Sequence, residues 1–349
     1  MTHHHTAPVL TSPAGTVHGG YLPTPVTRLE KLFPGSGVPV FAKLDQLQLS
    51  GSTKERTARS LLDGLIRDGR LVPGGTVVES TSGNLGMALA RQCAQRGYGF
   101  IAVVDARANA AACQTMEAYG ARVERVETPP DGNRLRARVE RVADLLAEDP
   151  TAVTTQQYGN PDNPAAHATS TMPELVASLG APPSRLYVAM STTGTLLGCQ
   201  QAIEREGWPT ELVGVDAEGS ALFGGAIAER KLPGLGAGFE TELSRHARPD
   251  HVRRVSEAAM VRGCRLLARR EGLLAGASSG AIVAAIGRDL PELSPCDTVA
   301  MLIHDSGSAY LPTVYNEAWV RAEIADADEA LGPLDAANPF VAGDARRRG

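Results

Sequence analysis

Short runs of β-branched and other apolar residues alternate with longer stretches of helical periodicity along most of this 349-residue chain. Gly, Pro or Asp residues separate these segments, and such alternation is typical of parallel strands connected by crossover helices. The pattern therefore predicts an α/β protein, and its repetition favours two sheets over one. The predicted strands lie at Thr76–Ser80, Gly99–Asp105, Arg122–Glu127, 151–156, 185–190, 211–216 and 297–303. The predicted helices include Leu85–Arg96, Ala108–Tyr119 and 134–147.

Polar and Gly/Pro-rich stretches indicate where the chain passes between two lobes. Residues 47–154 are predicted to form a small mobile lobe, which is inserted into a large lobe made of residues 14–46 and 155–325. A flexible N-terminal tail is expected at residues 1–13 and a C-terminal tail at residues 326–349.

Charge and composition limit the partners of the chain. A formal net charge of −5 provides no basic surface for nucleic acid or for an anionic membrane, so small molecules are the expected partners. No stretch reaches the roughly 18–20 consecutive apolar residues of a membrane span. The scattered cysteines have no CxxC spacing, which predicts five buried free thiols in a cytoplasmic protein. These are Cys93, Cys113, Cys199, Cys264 and Cys296.

Lys54 follows a Gly-Ser turn at the start of a helical run that continues through Leu65. The positive end of a helix disfavours an ammonium group, so the pKa of Lys54 is expected to be lowered, and a neutral amine can form a Schiff base. Taken alone, the lysine is better explained as a solvated surface residue, and the other motifs reverse that interpretation.

Two further motifs place hydroxyl, amide and backbone N–H groups where a predicted strand passes into a helix. Residues 79–86, Glu-Ser-Thr-Ser-Gly-Asn-Leu-Gly, predict a site for a carboxylate, because an ordinary N-cap does not explain so many polar residues together. Residues 191–198, Ser-Thr-Thr-Gly-Thr-Leu-Leu-Gly, predict a phosphate cup. The cup lacks the GxxxxGK[ST] and GxGxxG spacings, which disfavours a nucleotide or dinucleotide.

A fourth motif, Gly276-Ala-Ser-Ser-Gly280, precedes the apolar helical run Ala281–Ile286. It is able to place one serine hydroxyl beside the ring of a cofactor, or simply to pack small residues at a helix start. The order of the four motifs resembles the cysteine synthase branch of the tryptophan synthase β family, the fold type II pyridoxal phosphate enzymes. The resemblance runs from about Gly20 to Trp319.

This resemblance implies two α/β lobes with twisted, mostly parallel sheets, pyridoxal 5'-phosphate as the cofactor, amino-acid substrates and a homodimer. It also implies that Lys54 is the catalytic Schiff-base lysine and that Ser278 is the partner of the pyridine nitrogen. A hydroxyl partner favours β-elimination to an α-aminoacrylate, which a nucleophile then attacks. The implied substrate-carboxylate contacts are Thr81, Ser82, Asn84, Leu85 and Gln157, of which Asn84 also faces the cofactor 3'-oxygen. The implied phosphate cup of the cofactor consists of Ser191, Thr192, Thr193, Gly194 and Thr195.

Several segments are more similar to the branch of the family that joins O-phospho-L-serine to L-glutamate. That branch makes N-(2-amino-2-carboxyethyl)-L-glutamate, a precursor of 2,3-diaminopropionate in siderophore and antibiotic pathways. The resembling segments are Glu79–Gly86, Val103–Asp105, Ser191–Gly194, Val215–Ser220 and Tyr315–Trp319.

A departing phosphate needs positive charge, and the predicted helix at 134–147 contains several arginines. Arg138 flanks the apolar stripe of this helix, so its side chain is expected to reach inward. The stripe is formed by Leu135, Val139, Val142 and Leu146. The hypothesis is that Arg138, Tyr158 and Ser191 bind the phosphate of the substrate. The alternative is a solvated arginine with two packing hydroxyls.

Three other functions stay open. A cysteine synthase that uses O-acetylserine or O-phosphoserine with sulfide shares the motifs, and Gly234–Phe239 resembles the cysteine synthase loop. Thr53 and Glu55 also depart from the glutamate-using branch. A non-catalytic regulatory relative is disfavoured by the intact Lys54, Asn84 and Ser278, and a serine or threonine deaminase by its different lysine turn.

Overall fold

The structure of the chain, a computed structural model, describes residues 22–129 and 134–341. The tail expected at residues 1–13 and the end of the tail expected at 326–349 lie outside the described residues. Nine strands occur in the described part of the chain. They are β1 (Val26–Arg28), β2 (Val40–Lys43), β3 (Thr76–Ser80), β4 (Gly99–Val104), β5 (Arg122–Arg125), β6 (Arg185–Ala189), β7 (Glu211–Ala217), β8 (His251–Val255) and β9 (Val299–Leu302).

Twelve α-helices connect and cover these strands in the same described ranges. They are α1 (Lys54–Arg67), α2 (Asn84–Arg96), α3 (Ala110–Ala118), α4 (Arg134–Glu148), α5 (Asp162–Ala166), α6 (Met172–Leu179), α7 (Gly194–Glu206), α8 (Glu242–His246), α9 (Glu257–Leu266), α10 (Ala277–Asp289), α11 (Glu317–Glu323) and α12 (Ala327–Leu331). Short 3₁₀ turns lie at Asp45–Leu47, Leu222–Gly224, Leu290–Glu292 and Gly307–Tyr310, and π-helical turns at His167–Thr171 and Leu267–Glu271.

The strands form two separate sheets. The larger sheet has the order β1-β2-β9-β6-β7-β8, and all its neighbours are parallel except β1 against β2. The smaller sheet, β3-β4-β5, is wholly parallel. The prediction of an α/β protein with two mostly parallel sheets is confirmed.

Alternating side chains bury both faces of the larger sheet. Tyr187 and Val213 contribute to a core that includes the buried residues of α9 and α10. Their strand neighbours Leu186 and Leu212 contribute to a second core, which includes buried residues of α6 and α7. Because successive strand residues point to opposite faces, these strands need apolar residues at nearly every position, as their sequences show.

The smaller sheet is covered in the same way. Val77, Phe100 and Ala102 pack in a core with buried residues of α1, α2 and α3. Val78 and Val103 pack on the opposite face with Leu145 of α4. The sheet and these four helices lie within residues 54–148, so one continuous stretch of chain builds this unit.

The structure differs from the predictions at a few elements. The strand predicted at 151–156 is reduced to a single parallel bridge between Val153 and Val77. Strands β1, β2 and β8 were not among the predicted strands. Cys296 is exposed, so the prediction of five buried cysteines is wrong at this residue. Cys296 lies in a turn outside any helix or strand, so no core covers its thiol.

The segment assigned to a C-terminal tail is packed as far as the structure describes it. Within it, Ala330 and Leu334 are buried in the core of the larger sheet. Arg270 donates hydrogen bonds to backbone carbonyls of this segment, including that of Ala336 at 2.6 Å. Residues 326–341 are therefore part of the folded unit. None of the helices in the described ranges is both long and apolar enough to cross a membrane.

Candidate active site

A cavity of about 350 Å³ lies where strands of both sheets end. Strands β3, β6 and β9 lead into segments that line it, as expected for ligand sites at the carboxyl ends of parallel strands. All predicted site residues except Gly194 contribute to its walls. They are Lys54, Thr81, Ser82, Asn84, Leu85, Arg138, Gln157, Tyr158, Ser191, Thr192, Thr193, Thr195 and Ser278.

Lys54 is the first residue of α1 and lines the cavity. Burial lowers the pKa of its ammonium group, and the charge of Asp305 opposes this shift. The direction agrees with the prediction from the sequence, but burial is the main physical cause rather than the helix terminus. Lys54 therefore reaches its neutral, nucleophilic form more readily than an exposed lysine.

A buried ionic network fixes the turn that carries Lys54. Asp45 accepts hydrogen bonds from Thr53 Oγ1 at 3.0 Å and from Arg56 Nε at 3.1 Å, so both flanks of Lys54 are held by one carboxylate. Arg56 also donates to Glu174 Oε1 at 2.7 Å, and Lys43 donates to Glu174 at 2.8 Å. Although burial raises it, the charges of Arg56 and Lys43 hold the pKa of Asp45 below its ordinary value.

The segment between β3 and α2 forms a second wall. Asn84 is the first residue of α2 and donates a hydrogen bond from Nδ2 to Asp305 Oδ2 at 2.8 Å. Gln157 reaches the same segment through a hydrogen bond from Nε2 to the Ser80 carbonyl at 3.5 Å. Hydroxyls of Thr81 and Ser82 lie on the cavity side, together with Leu85. The wall combines a helix N-terminus with neutral donors, which suits a carboxylate.

The segment between β6 and α7 forms the predicted cup. Thr193 adopts a left-handed backbone conformation with φ of 71°, and α7 begins at the next residue, Gly194. A Cβ atom at Gly194 would lie 2.1 Å from Asn163 Oδ1, so glycine is required for this close approach. Gly194 lies behind the cup, where its N–H donates to Thr192 Oγ1 at 3.3 Å. Among the described residues, Thr193 Oγ1 is buried without a hydrogen-bond partner.

Ser278 lies in the first turn of α10, beside the segment that follows β9. That segment contributes Asp305, which accepts a hydrogen bond from Tyr310 Oη at 3.0 Å. Burial raises the pKa of Asp305, and hydrogen bonds from Asn84 and Tyr310 oppose the shift. Its other oxygen, Oδ1, has no hydrogen-bond partner in the described part of the chain. A Cβ atom at position 276 would lie 2.0 Å from Oδ1, so Gly276 is needed beside Asp305.

His304, Asp305 and Tyr310 line the cavity but were missed by the sequence predictions. The sequence feature that could have identified them is the predicted strand at 297–303. The carboxyl end of this strand, like those of β3 and β6, leads into a segment that lines the cavity. His304 is buried near Lys54, and both effects lower its pKa to about 3. It is therefore neutral, and its Nε2 accepts a hydrogen bond from the Ala189 N–H at 3.3 Å.

Arg138, Tyr158 and Ser191 all line the cavity. Arg138 Nε lies 3.3 Å from Asp105 Oδ2 and makes no hydrogen bond to any described residue. Burial raises the pKa of Tyr158, and the charge of Arg138 opposes that shift, so the two side chains are near each other. The arginine therefore provides a positive charge beside the phenol of Tyr158.

The prediction that Arg138 reaches inward depends on an apolar stripe along α4, and the residues assigned to that stripe are partly wrong. Val139 is 54% exposed, whereas Leu145 is 4% exposed and packs with Val142 and Leu146 on the smaller sheet. Val142, Leu145 and Leu146 are therefore residues of α4 that pack on the smaller sheet.

These residues fit pyridoxal 5'-phosphate. The unpartnered hydroxyl of Thr193 lies at the N-terminus of α7 among neutral donors, which suits a phosphate dianion. Lys54 supplies an amine of lowered pKa within the same cavity. The unpartnered oxygen of Asp305 and the hydroxyl of Ser278 provide polar groups at the opposite wall.

The sequence and fold were compared with known proteins. A family model described as pyridoxal-phosphate dependent enzyme matches residues 17–305. The chain is 41% identical over 320 residues to N-(2-amino-2-carboxyethyl)-L-glutamate synthase from Ralstonia nicotianae, covering 91% of this chain and 94% of that protein. It is 39% identical over 325 residues to the synthase of the same name from Cupriavidus metallidurans, with the same two coverages, 91% and 94%. Among solved structures, the O-acetylserine dependent cystathionine β-synthase from Helicobacter pylori superimposes with a TM-score of 0.77 at 28% identity, covering 84% of this chain and 96% of that one.

Proposed function

The chain belongs to the family of pyridoxal-phosphate-dependent enzymes, and we propose that it joins O-phospho-L-serine to L-glutamate. The phosphate of the donor is replaced by the amine of the acceptor, which gives N-(2-amino-2-carboxyethyl)-L-glutamate and inorganic phosphate. The observation that carries this proposal is the pairing of two facts. The curated relatives bear the name of that synthase at 39% to 41% identity, and Arg138, Tyr158 and Ser191 all line the cavity.

Bound pyridoxal phosphate supplies an electron sink that acidifies the Cα–H bond of an amino acid. We assign Lys54 to the proton transfer at this carbon, because burial lowers its pKa and its amine lies in the cavity. Thr192, Thr193 and Thr195, with the N–H groups at the start of α7, are proposed to hold the cofactor phosphate. Ser278 is proposed to face the pyridine nitrogen.

The donor amino acid carries two anionic groups that need separate sites. We assign its carboxylate to Thr81, Ser82, Asn84 and Gln157, where neutral donors and the N-terminus of α2 converge. We assign its phosphate to Arg138, Tyr158 and Ser191, since the guanidinium of Arg138, whose Nε is ion-paired with Asp105 at 3.3 Å, is able to donate charge-assisted hydrogen bonds. The phosphate then leaves toward a positive charge, which stabilises the departing dianion.

A cysteine synthase activity is the second candidate. Gly234 lines the cavity and begins the Gly234–Phe239 loop, which resembles cysteine synthases. Sulfide has no carboxylate, so this activity needs no carboxylate-binding group for its acceptor.

A matrix of two donors and two acceptors tests the proposal. Release of phosphate or acetate from O-phospho-L-serine and O-acetyl-L-serine is measured with L-glutamate, with sulfide and with neither. The proposal expects phosphate release to be accelerated by L-glutamate and the O-acetyl donor to be poor. Turnover with sulfide alone as acceptor, or preference for O-acetyl-L-serine, would assign the protein to the cysteine synthases.

The setting of the reaction follows from the same resemblance. We infer a cytoplasmic homodimer that serves 2,3-diaminopropionate formation in a siderophore or antibiotic pathway. Free cysteines support the reducing compartment, since Cys93, Cys113, Cys199 and Cys264 are buried and unpaired as thiols. Light scattering of the purified protein tests the dimer.

A further inference from the structure

The cavity wall contains a second arginine, Arg107, to which no role in binding the donor or the cofactor is assigned. Arg107 lies in the turn between β4 and α3 and lines the cavity together with Asn109. Its backbone N–H donates to Asp105 Oδ1 at 2.8 Å, while Asp105 Oδ2 lies 3.3 Å from Arg138 Nε. One buried carboxylate therefore fixes the position of Arg107 relative to Arg138.

The guanidinium of Arg107 already holds a carboxylate. Arg107 Nη2 lies 3.3 Å from Oε1 of Glu229, which belongs to the segment between β7 and α8. The side chains are 57% and 61% exposed, so the pair is at the solvent-facing side of the cavity. Exposed ion pairs contribute little net free energy, and another carboxylate is therefore able to replace Glu229 at small cost. A displaced Glu229 still has a partner, because Lys231 Nζ lies 3.4 Å from its Oε1 and is able to keep the ion pair with it.

The proposed donor leaves Arg107 unused. Its carboxylate and phosphate are assigned to the α2 N-terminus and to Arg138, both deeper in the cavity than the exposed Arg107. The acceptor L-glutamate brings a nucleophilic amine that must enter the cavity, with its α-carboxylate beside it. The side-chain carboxylate is at the other end of the molecule and points back toward the entrance. An arginine there matches it by charge and by bidentate geometry.

We infer that Arg107 binds the side-chain carboxylate of the acceptor amino acid, in exchange for Glu229. This inference rests on the proposed function and deepens it, because it names the group that selects a dicarboxylic acceptor. Glu229 acts as an internal competitor that occupies Arg107 until the acceptor arrives.

Separating the two half-reactions tests the inference. Phosphate release in a single turnover with O-phospho-L-serine alone reports the donor half, and the KM for L-glutamate at saturating donor reports the acceptor half. Arg107→Gln is expected to raise the KM for L-glutamate by about two- to fivefold, because a partly exposed charge pair is lost. Single-turnover phosphate release is expected to be unchanged. The preference for L-glutamate over L-glutamine should collapse in the same variant.

Two further variants sharpen the experiment. Glu229→Gln removes the competing carboxylate and is expected to lower the KM for L-glutamate by up to about fivefold. Arg136→Gln is the matched control, since Arg136 is on α4 outside the cavity with a side chain that is 52% exposed. It should leave both half-reactions and the acceptor preference unchanged.

The outcomes distinguish this inference from the proposed function. If the wild-type protein does not release phosphate from O-phospho-L-serine, or L-glutamate does not accelerate turnover, both are overturned. If the wild type behaves as proposed but Arg107→Gln keeps its KM and its preference for L-glutamate, only the role of Arg107 is overturned. Slower single-turnover phosphate release in Arg107→Gln also overturns it, because the residue then serves the donor.

Discussion

Asn84 donates a hydrogen bond from Nδ2 to Oδ2 of Asp305 at 2.8 Å, across 221 positions of the chain. The bond joins the helix that follows the first strand of the smaller sheet to the segment that follows β9 of the larger sheet. Asp305 also raises the pKa of Lys54 against the effect of burial. One carboxylate therefore connects the two sheet units and tunes the protonation of the lysine.

Asp305→Asn tests this tuning. Removing the negative charge leaves burial unopposed, so the pKa of Lys54 is expected to fall further below its ordinary value. The neutral amine then persists to lower pH, and the protein stripped of cofactor should take up pyridoxal phosphate at lower pH than the wild type. The pH dependence of the uptake rate, followed by absorbance, measures the shift. Asp63→Asn, at an exposed carboxylate of α1, should leave it in place, and an unshifted profile for Asp305→Asn would disprove the coupling.

Lys54→Ala is expected to abolish both cofactor linkage and turnover. The remaining cup still binds the phosphate of the cofactor, so pyridoxal phosphate should be retained weakly and be lost on dialysis, whereas the wild type retains it. Lys31→Ala changes an exposed lysine and is expected to behave as the wild type. Borohydride treatment followed by peptide mass analysis identifies the linked residue, and labelling at a lysine other than Lys54 would contradict the assignment.

Arg138→Ala is expected to weaken the O-phosphorylated donor selectively. A lost hydrogen bond to a charged group corresponds to about 1.5–3 kcal/mol, so kcat/KM for O-phospho-L-serine should fall by roughly 10- to 100-fold. O-Acetyl-L-serine has no phosphate, and its turnover should change little. Arg136→Ala on the same helix serves as the control. Equal losses with both donors would show that Arg138 supports the fold rather than the phosphate.

Asp45→Ala is expected to destabilise the protein strongly. It leaves Arg56 fully buried without one of its two carboxylate partners, and breaking a buried ion pair typically costs about 3–5 kcal/mol. Asp63→Ala, which breaks exposed pairs with Arg59 and Arg96, should cost less than about 1 kcal/mol. Urea unfolding followed by circular dichroism compares the two, and similar midpoints would contradict the importance of the network.

The same network gives a pH dependence of known sign. Because the folded-state pKa of Asp45 is below its ordinary value of 3.8, the folded protein binds fewer protons there than the unfolded chain. The contribution of Asp45 to the free energy of unfolding is therefore complete at pH values above that ordinary pKa, and it is lost as the pH falls through the folded-state pKa. The Asp45→Ala variant should show a smaller loss of stability on acidification than the wild type.

Much of the site was predictable because its motifs share one geometric property. Residues 79–86 and 191–198 each follow a parallel strand, one in the smaller sheet and one in the larger, and ligand sites form beyond the carboxyl ends of such strands. Asp305 also follows a predicted strand, and Ser306 and Gly307 follow it, but the helical turn that Ser306 caps has only four residues and was not predicted. The importance of Asp305 appears only when Asn84 and Gly276 are seen beside it.

Other features were beyond reach of the sequence because they depend on contacts between distant residues. Arg56 contacts Glu174 across 118 positions, and no local periodicity reports such a pair. The helix α12 has five residues, which is too short for an apolar stripe, so residues 326–341 looked like a tail. Val139 fits the stripe of α4 but is exposed, since helical periodicity alone does not say where the helix leaves the sheet.

The proposed reaction in this cavity forms a bond between the β-carbon of serine and the nitrogen of glutamate. The most direct test is to incubate the holoenzyme with O-phospho-L-serine and ¹⁵N-labelled L-glutamate, and to analyse the product by mass spectrometry and NMR. The proposed reaction should release one phosphate for each molecule of N-(2-amino-2-carboxyethyl)-L-glutamate formed, with ¹⁵N bonded to the former β-carbon of serine. Phosphate release without this C–N bond, or condensation only with sulfide, would contradict it.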